Sequence, residues 1–329
     1  MPVRIVYMGT PEFACPTLRA LAKDPDVELA LVVTQPDRMA GRGRKLLAPP
    51  VKMVAAELGL PTYQTASLKT ADQRMPIVDS APDLIVVAAF GLILGSTILN
   101  LPPLGCINLH ASLLPAYRGA APISAAIANG DTESGVTLMR MERGLDTGPM
   151  LATSRLNINM TDTTASLTER LALSAAELML ASLGPLVQGS LCEQPQGSAA
   201  SLTRPLTKSD GWLDWERPAI ELERHVRAMW SWPRAWTTLP NGAAIQIHRS
   251  RVADGTVNDC EAGTIISHGN ELAVQTGQGL LVIDLGQLPN GKPQPGMVLA
   301  QRAELISGQL LGQTGRPALV GPLVARVDP

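Results

Sequence analysis

Several patterns that would mark common classes of protein are missing from this sequence. Its four cysteines form no C-x-x-C pair and have no metal-ligand spacing, so we expect reduced thiols rather than a disulfide framework. The four histidines are not paired with Cys or Asp at ligand spacing, which argues against a zinc site. The nucleophile-elbow pattern G-x-S-x-G is absent, so a covalent acyl-enzyme is not expected.

Net charge and long apolar runs are also scarce. A formal charge of −2 over 329 residues offers no general attraction to polyanions, so any role with nucleic acid must rest on a local basic patch. The N-terminal run MPVRIVYMG is too short for a signal peptide, and no apolar run approaches the length needed to span a bilayer. The composition therefore predicts a cytoplasmic globular protein of two domains, with no membrane partner.

The sequence does contain a series of apolar runs that are rich in β-branched residues. They show no polar alternation, which is typical of strands covered on both faces, and they occupy residues 3–8, 29–34, 84–89 and 106–109. Helix-like segments lie between the first three runs, at 15–24 and 49–59. This order of strand and helix predicts an α/β fold with a doubly wound, mostly parallel, Rossmann-like sheet.

A different pattern follows a long predicted helix. Residues 162–183 have the apolar period of a helix and a capping-box spacing from Ser166 to Glu169. A stretch rich in Gly, Pro, Ser and Gln then predicts a linker. Short apolar segments separated by turn residues predict a small antiparallel barrel or sandwich after it. The expected division is a first domain at 1–189, a linker at 190–208 and a C-terminal domain at 209–329.

Two smaller features each have competing interpretations. MGTPEF places Thr10 at a helix N-cap and Pro11 at the first helical position, but it has one glycine where the dinucleotide fingerprint has three. A plain helix start is favoured there over a dinucleotide site. All five tryptophans follow the linker, and packing of a helix against the barrel is favoured over a platform that stacks bases.

The stretch CINLHASLLPAYRGAAP carries the most informative chemistry. Asn108 and His110 are two residues apart at the end of a predicted strand, so both side chains leave the same face and share a pocket. Ligands of open parallel sheets bind outside the carboxyl ends of the strands. An Asn amide can donate to a developing oxyanion, and a His can take or hold a proton, which suits attack of an amine on an acyl carbon.

A carboxylate that orients the imidazole would complete such a site. Asp146 lies between two glycines in RGLDTGP, where the backbone can bend to bring its side chain into a pocket. A structural histidine at a strand end is the competing interpretation, and Asn-x-His alone does not decide between the two. No metal is expected in either case.

These segments together resemble a known family. NLHASLLPAYRGAAPI followed by GLDTG is similar to the formyltransferases that use 10-formyltetrahydrofolate, and the likeness extends over nearly the whole chain. MGTPEFA, VVTQPDRMAGRGRKL, VVAAFGLIL and LDWERPAIELERHVRAMWSWPRAW narrow it to the branch that acts on methionyl-tRNA. The resemblance implies a C-terminal β-barrel of the OB type that binds tRNA. It also implies formyl transfer to the α-amino group of methionine on initiator tRNA, for translation initiation.

The resemblance also assigns roles residue by residue. The family's catalytic Asn, His and Asp fall on Asn108, His110 and Asp146. The formyl donor, 10-formyltetrahydrofolate, would be the one cosubstrate, without a metal. Its site would lie along an apolar slot at two strand ends, formed by Phe90, Gly91, Leu92, Ile93, Ser112, Leu113, Leu114 and Pro115. Without the resemblance, FGLIL would be explained equally well as core.

The basic loop DRMAGRGRKL would contact the acceptor end of the tRNA. Its cations are Arg38, Arg42, Arg44 and Lys45, and a solvated loop is the competing interpretation. From residue 204 onward, twelve basic residues are matched by twelve acidic ones, so a polyanion would need a segregated basic face there. The expected partners are initiator methionyl-tRNA and the folate, and the chain is expected to be a monomer.

Two other functions stay open at this point. A formyltransferase acting on a small amine, either an amino sugar or a glycinamide nucleotide, would need neither the basic loop nor the second domain. A non-catalytic folate- or RNA-binding module would be indicated by a missing Asn, His or Asp, and all three are present.

Overall fold

The computed structural model describes residues 1–40, 45–253, 260–302, 304–318 and 320–327. The first half of the chain alternates strands and helices, as predicted. Its strands are β1 (Val3–Gly9), β2 (Val27–Thr34), β3 (Arg38–Ala40), β4 (Lys45–Leu47), β5 (Thr62–Gln64), β6 (Leu84–Ala88), β7 (Cys106–His110), β8 (Arg118–Gly119), β9 (Glu133–Arg140) and β10 (Met150–Asn157). Its helices are α1 (Cys15–Leu21), α2 (Pro50–Glu57), α3 (Ala71–Asp79), α4 (Ser96–Leu99), α5 (Pro122–Asn129) and α6 (Thr164–Val187).

Seven of these strands form one sheet in the order β10-β9-β7-β6-β1-β2-β5. Strands β1, β2, β5, β6 and β7 are parallel, and β9 runs antiparallel to β7. The predicted mostly parallel, Rossmann-like sheet is confirmed. Because β2 and β6 lie on opposite sides of β1, the crevice between the ends of β1 and β6 is the topological switch point, where sheets of this kind bind ligands.

Alternate residues of the central strands pack on opposite faces of the sheet. Ile5 and Tyr7 of β1 lie in an apolar cluster with α1, α2 and α6, whereas Val6 and Met8 lie in a cluster with α3 and α4. All four side chains are fully buried. Burial on both faces explains the lack of polar alternation, and each such side chain contributes about 1.5–3 kcal/mol.

Two helix starts differ from the prediction. Thr10 does not cap a helix, because its hydroxyl donates to the carbonyl oxygen of Phe90 at 2.9 Å and a 3-10 turn precedes α1. This bond ties the end of β1 to the end of β6. Helix α6 begins one turn earlier than the predicted capping box, since Thr163 and Ser166 form the box instead of Ser166 and Glu169.

Helix α6 also corrects the expectation about apolar runs. It has 24 residues and an 18-residue window with a mean hydropathy of 1.4, which meets the length and composition of a membrane-spanning helix. Half of that window is buried inside the structure. Leu167, Leu171, Met179, Leu183 and Leu186 pack in the cluster on one face of the sheet, so core packing accounts for much of its apolar composition.

The second half of the chain is dominated by antiparallel strands. Its elements are β11 (Ala200–Thr203), α7 (Ala219–Ala228), β12 (Ala235–Thr238), β13 (Ala244–Ala253), β14 (Ile265–His268), β15 (Glu271–Gln275), β16 (Leu280–Gln287), β17 (Gln294–Pro295), α8 (Gly296–Leu299) and β18 (Val324–Val327). Five strands pair in the order β12-β13-β16-β15-β14, and β17 pairs with β16. The predicted antiparallel sheet is confirmed, and its assignment to the OB type stays a prediction.

The tryptophans after residue 208 serve mainly in packing. Trp212 and Trp215 are buried, and Trp212 meets Trp236 edge to face with 4.9 Å between ring centroids. The indole of Trp215 donates to Oγ1 of Thr237 at 3.2 Å. Packing is therefore confirmed for these three rings, whereas Trp232 is 57% exposed.

The segment at 190–208 is bound to the first half of the chain rather than free. Within it, β11 pairs in parallel with β8 and antiparallel with β18, so three distant segments form one small sheet. Gly119 of β8 permits this pairing, because its φ is +100° and a Cβ atom there would lie 2.2 Å from the carbonyl oxygen of Thr203. The composition of residues 190–208 indicated that the segment is not helical. It could not show that the backbone of β11 forms hydrogen bonds with distant strands, because any residue type can supply these groups.

The pKa of His225, on α7, predicts how the stability of the fold depends on pH. Part of the residue reaches solvent, but Nε2 of its ring is buried. Burial, followed by the positive charge of Arg217, lowers its pKa from 6.5 to about 4. Because the unfolded chain binds this proton near pH 6.5, the stability is fully present above that pH and is lost as the pH falls toward 4.

We therefore expect His225 to remove at most about 3 kcal/mol from the free energy of unfolding between pH 6.5 and pH 4. Urea unfolding at several pH values measures how the free energy of unfolding depends on pH. This dependence should be weaker in the variant His225→Gln. An equal dependence in both proteins would assign the acid sensitivity to other groups.

Candidate active site

Asn108 and His110 lie at the carboxyl end of β7, beside the strand that borders the switch point. All five residues of β7 are buried, and the two side chains are 9% and 6% exposed. Each of them contacts the carboxylate of Asp146. The prediction that the two side chains leave the same face of the strand is therefore confirmed.

The carboxylate of Asp146 joins the parts of this site. Its Oδ1 lies 3.4 Å from Nδ2 of Asn108, and its Oδ2 lies 3.5 Å from Nδ1 of His110. The backbone N–H of Gly119 donates to Oδ2 at 2.8 Å. The structure thus brings together the three residues singled out in the sequence and adds a backbone donor from β8.

The backbone of Asp146 is held in an uncommon conformation. Its φ is +52°, in the left-handed region that is strained for a residue with a Cβ atom. Of its glycine neighbours, Gly148 serves close approach, because a Cβ atom there would lie 2.0 Å from the carbonyl oxygen of Arg140. The bend expected from the flanking glycines is therefore carried by Asp146 itself.

The imidazole of His110 lies between two acceptors. Nε2 is 2.9 Å from the carbonyl oxygen of Tyr117, and because a carbonyl oxygen only accepts, Nε2 carries a proton. Nδ1 faces Oδ2 of Asp146. An imidazolium, with a proton on each nitrogen, donates to both oxygens, so this arrangement suits a positive charge beside the amide of Asn108.

Tyr117 is itself fixed by hydrogen bonds. Its N–H donates to Oγ of Ser201 at 2.8 Å, and its hydroxyl donates to Oδ2 of Asp131 at 2.6 Å. Burial, followed by the bond to Asp131, raises the pKa of Tyr117 to about 12. The phenol therefore stays neutral at physiological pH, and the carbonyl oxygen that receives His110 is held in place.

The predicted folate segment 112–115 forms a loop that is braced by β9. Oγ1 of Thr137 donates to the carbonyl oxygen of Ser112 at 2.7 Å and accepts from the N–H of Leu114 at 3.1 Å. The hydroxyl of Ser112 donates to the carbonyl oxygen of Ala116. Leu114 is buried, while Leu113 and Pro115 are partly buried.

The other predicted folate segment divides between core and surface. Phe90 is 2% exposed in the cluster with Val6 and Met8, and its carbonyl oxygen accepts from Nε2 of Gln35 at 2.8 Å. Gly91 and Ile93 are exposed, Ile93 at 86%, and Leu92 is partly buried. Phe90 therefore belongs to the core, and residues 91–93 form the accessible part of the segment at the switch point.

Arg38 is the residue of the predicted tRNA loop whose side chain the structure describes. It lies at the start of the β3–β4 hairpin and donates to Oε1 of Gln35, whose Nε2 donates to the carbonyl oxygen of Phe90. The hairpin is thereby linked to the FGLIL segment. Arg42 and Arg44 lie outside the described residues, as does the side chain of Lys45.

Three contacts of this site had no signal in the sequence. The carbonyl of Tyr117 and the N–H of Gly119 are backbone groups, which any residue type supplies. Gln196 lies in the predicted linker and binds the Asp146 loop through its side chain.

Within the part of the chain that the structure describes, no group of three His, Cys, Asp or Glu side chains is arranged to hold a metal.

Two methionyl-tRNA formyltransferases are similar in sequence to this chain over nearly its whole length. A methionyl-tRNA formyltransferase from Ectopseudomonas mendocina is 45% identical over 315 residues, which cover 94% of this chain and 99% of that protein. Another, from Methylococcus capsulatus, is 46% identical over 311 residues, which cover 94% of this chain and all of that one.

A solved structure supports the fold. WlaRD, a sugar 3N-formyl transferase crystallised in the presence of dTDP and 5-N-formyl-THF, superposes with a TM-score of 0.63 at 18% identity, covering 89% of this chain and all of that one. Residues 3–183 match the model of the formyl transferase family, and residues 205–304 match that of the formyl transferase C-terminal domain. With its N-terminal and C-terminal regions both matched, the chain belongs to the formyl transferase family.

Proposed function

We propose that this protein transfers the formyl group of 10-formyltetrahydrofolate to the α-amino group of methionine on initiator tRNA. The observation that carries the proposal is the carboxylate of Asp146 in contact with both Asn108 and His110 at the end of β7. Relatives about 45% identical over nearly the whole chain are methionyl-tRNA formyltransferases, which supports the choice of acceptor.

The first step is addition of the amine to the formyl carbon. The neutral α-amine supplies the electron pair of the new C–N bond, and the π electrons of the carbonyl move to its oxygen. One amide hydrogen of Asn108 is directed at Asp146, and the other is free to donate to this oxygen. The imidazolium of His110 places positive charge beside it, and fixed donors of this kind stabilise an oxyanion without reorganising.

The second step is collapse of the tetrahedral intermediate. The oxyanion re-forms the carbonyl, the bond to N10 of the folate breaks, and N10 takes up one proton while the attacking nitrogen loses one. The contact between Nδ1 of His110 and Oδ2 of Asp146 gives a route for these protons. The products are the N-formyl amide and tetrahydrofolate, with no net change in protons.

The folate and the tRNA approach this site from neighbouring strand ends in the proposal. Residues 91–93 and the loop 112–115 flank the flat pterin ring as the two sides of an apolar slot. The hairpin that begins at Arg38 receives the acceptor end of the tRNA. Cytoplasmic location, a monomeric state and the division into 1–189, 190–208 and 209–329 belong to the same proposal.

The test is transfer of labelled formyl from 10-formyltetrahydrofolate to initiator methionyl-tRNA, with elongator methionyl-tRNA and free methionine measured in parallel. We expect product on the initiator alone. Product on no tRNA, with transfer to an amino sugar or a glycinamide nucleotide, would replace the acceptor in the proposal. Folate binding without transfer to any amine would leave only a binding module.

The basic loop allows the proposed tRNA contact to be tested by mutation. Arg42→Leu should raise the KM for initiator methionyl-tRNA about tenfold, because one phosphate or base contact is worth about 1–3 kcal/mol. The KM for the folate should stay unchanged. Arg155→Leu, at an exposed arginine of β10, is the matched control and should leave both values unchanged. A rise in the folate KM alone would show that this loop does not serve the tRNA.

A further inference from the structure

The side-chain amide of Gln196 joins the loop that carries Asp146 to Arg118 of β8. Its Nε2 donates to the carbonyl oxygens of Asp146 and Gly148, each at 2.8 Å. Its Oε1 accepts from Nε and Nη2 of Arg118, at 3.0 and 2.8 Å. The primary amide thus makes four hydrogen bonds, with both donors and both lone pairs of its oxygen in use.

These partners lie on both sides of the proposed catalytic carboxylate. Arg118 directly precedes Gly119, whose N–H donates to Oδ2 of Asp146. The carbonyl of Asp146 is bound by the same glutamine that binds Arg118. Gln196 therefore spans the backbone of the carboxylate residue and the strand that supplies its backbone donor.

The loop needs such a support because it is exposed on one side of Asp146 and its backbone is strained at that residue. Residues 142–145 are exposed, and Asp146 has the left-handed φ of +52°. A residue in this region costs of order 1–3 kcal/mol and persists only where its surroundings fix it. The hydrogen bonds of Gln196 to two carbonyls within three residues supply that constraint.

Neighbouring residues of the same segment fasten it to the sheet. Gln194 exchanges two backbone hydrogen bonds with Met150, each at 2.8 Å, and Glu193 forms an ion pair with Arg140. These bonds hold the backbone on either side of the catalytic loop. The side chain of Gln196 is the part of the segment that reaches the loop itself.

From these contacts we infer that Gln196 is a positioning residue, which holds Asp146 in register with Asn108 and His110. The link from this residue to formyl transfer rests on the proposed function. The link from Gln196 to the geometry of the loop does not, and it can be tested without substrates.

The first arm of the test measures the loop directly. In Gln196→Ala, amide hydrogen exchange at Gly119, whose N–H donates to Asp146, should accelerate about tenfold, while exchange in β1 and β6 stays unchanged. Gln194→Ala is the matched control, because Gln194 reaches Met150 through its backbone. Unchanged exchange in Gln196→Ala would overturn the proposed positioning, whatever the enzyme is found to catalyse.

The second arm measures catalysis. Gln196→Ala should lower kcat by about ten- to a hundredfold with little change in either KM, because a displacement of the order of 1 Å in a catalytic group has effects of this size. Gln196→Glu should be impaired at least as much, since a carboxylate keeps the contact to Arg118 but repels the two carbonyls. Gln194→Ala should retain wild-type kcat.

A double-mutant cycle separates positioning from general structural damage. In the Asp146→Asn background, Gln196→Ala should cause no further loss of kcat if it acts through Asp146. A full additional loss there, or a kcat within twofold of wild type in the single variant, would overturn the inference. Absence of transfer by the wild-type protein to every amine would instead count against the proposed function, and the exchange experiment would still decide the role of Gln196.

Discussion

Replacement of His110 by alanine is expected to lower kcat for formyl transfer by about a thousandfold or more, equivalent to about 4 kcal/mol in the activation barrier. The change removes two contributions at once. Proton transfer by a positioned side chain is worth about a hundredfold or more, and so is a fixed positive charge beside a developing oxyanion. Asn108 would remain as the donor to that oxygen, so a residual rate above the uncatalysed reaction is expected.

Single-turnover measurements with saturating folate and initiator methionyl-tRNA provide the test, because they report the chemical step apart from product release. Circular dichroism and folate binding should be unchanged in the variant. His268→Ala, at the end of β14, removes an imidazole from the second half of the chain and should keep full activity. A rate within tenfold of wild type in His110→Ala would remove His110 from the mechanism.

Asp146→Asn is expected to lower kcat by about a hundred- to a thousandfold. The groups around this carboxylate are all donors: Nδ2 of Asn108, the N–H of Gly119 and, in the imidazolium, Nδ1 of His110. A carboxylate accepts on both oxygens, whereas an amide accepts on one side and donates from the other. In either orientation of the introduced amide, its NH₂ group would therefore meet another N–H group.

The dependence of kcat/KM on pH is the measurement that separates this effect from a loss of fold. We expect its profile to change in shape, because Nδ1 of His110 then faces an amide rather than a carboxylate. Asp79→Asn, at an exposed aspartate of α3, is the matched control and should keep the wild-type profile. An unaltered profile in Asp146→Asn, at any level of activity, would contradict the coupling between the two side chains.

Local patterns were enough to predict four of the seven strands of the sheet and the shared pocket of Asn108 and His110. Strands β1, β2, β6 and β7 follow from β-branched runs without alternation, since burial on both faces imposes that pattern. The period of two residues placed Asn108 and His110 on one face. Both inferences depend on neighbours in sequence, where the geometry of a strand is fixed.

Features that depend on distant segments were predicted less well. The hydroxyl of Thr10 binds Phe90 rather than the helix that follows it, because the switch point brings the ends of β1 and β6 together. The segment 190–208 has the composition of a flexible linker, yet β11 and Gln196 are bound to the first half of the chain. Polar residues without a period carry no information about their partners, so these contacts had to be observed.

The small sheet of β8, β11 and β18 also constrains the order in which the site is completed. Its strands lie at 118–119, 200–203 and 324–327, so the second region of the chain is synthesised between the first strand and the last. A nascent chain can bury the strands that carry Asn108 and His110 long before β18 leaves the ribosome. Pairing between segments so far apart in sequence forms slowly, so this three-stranded sheet is completed late. The strand β18 can pair with β11 only after residues 324–327 have left the ribosome, whereas β8 and β11 can pair before that.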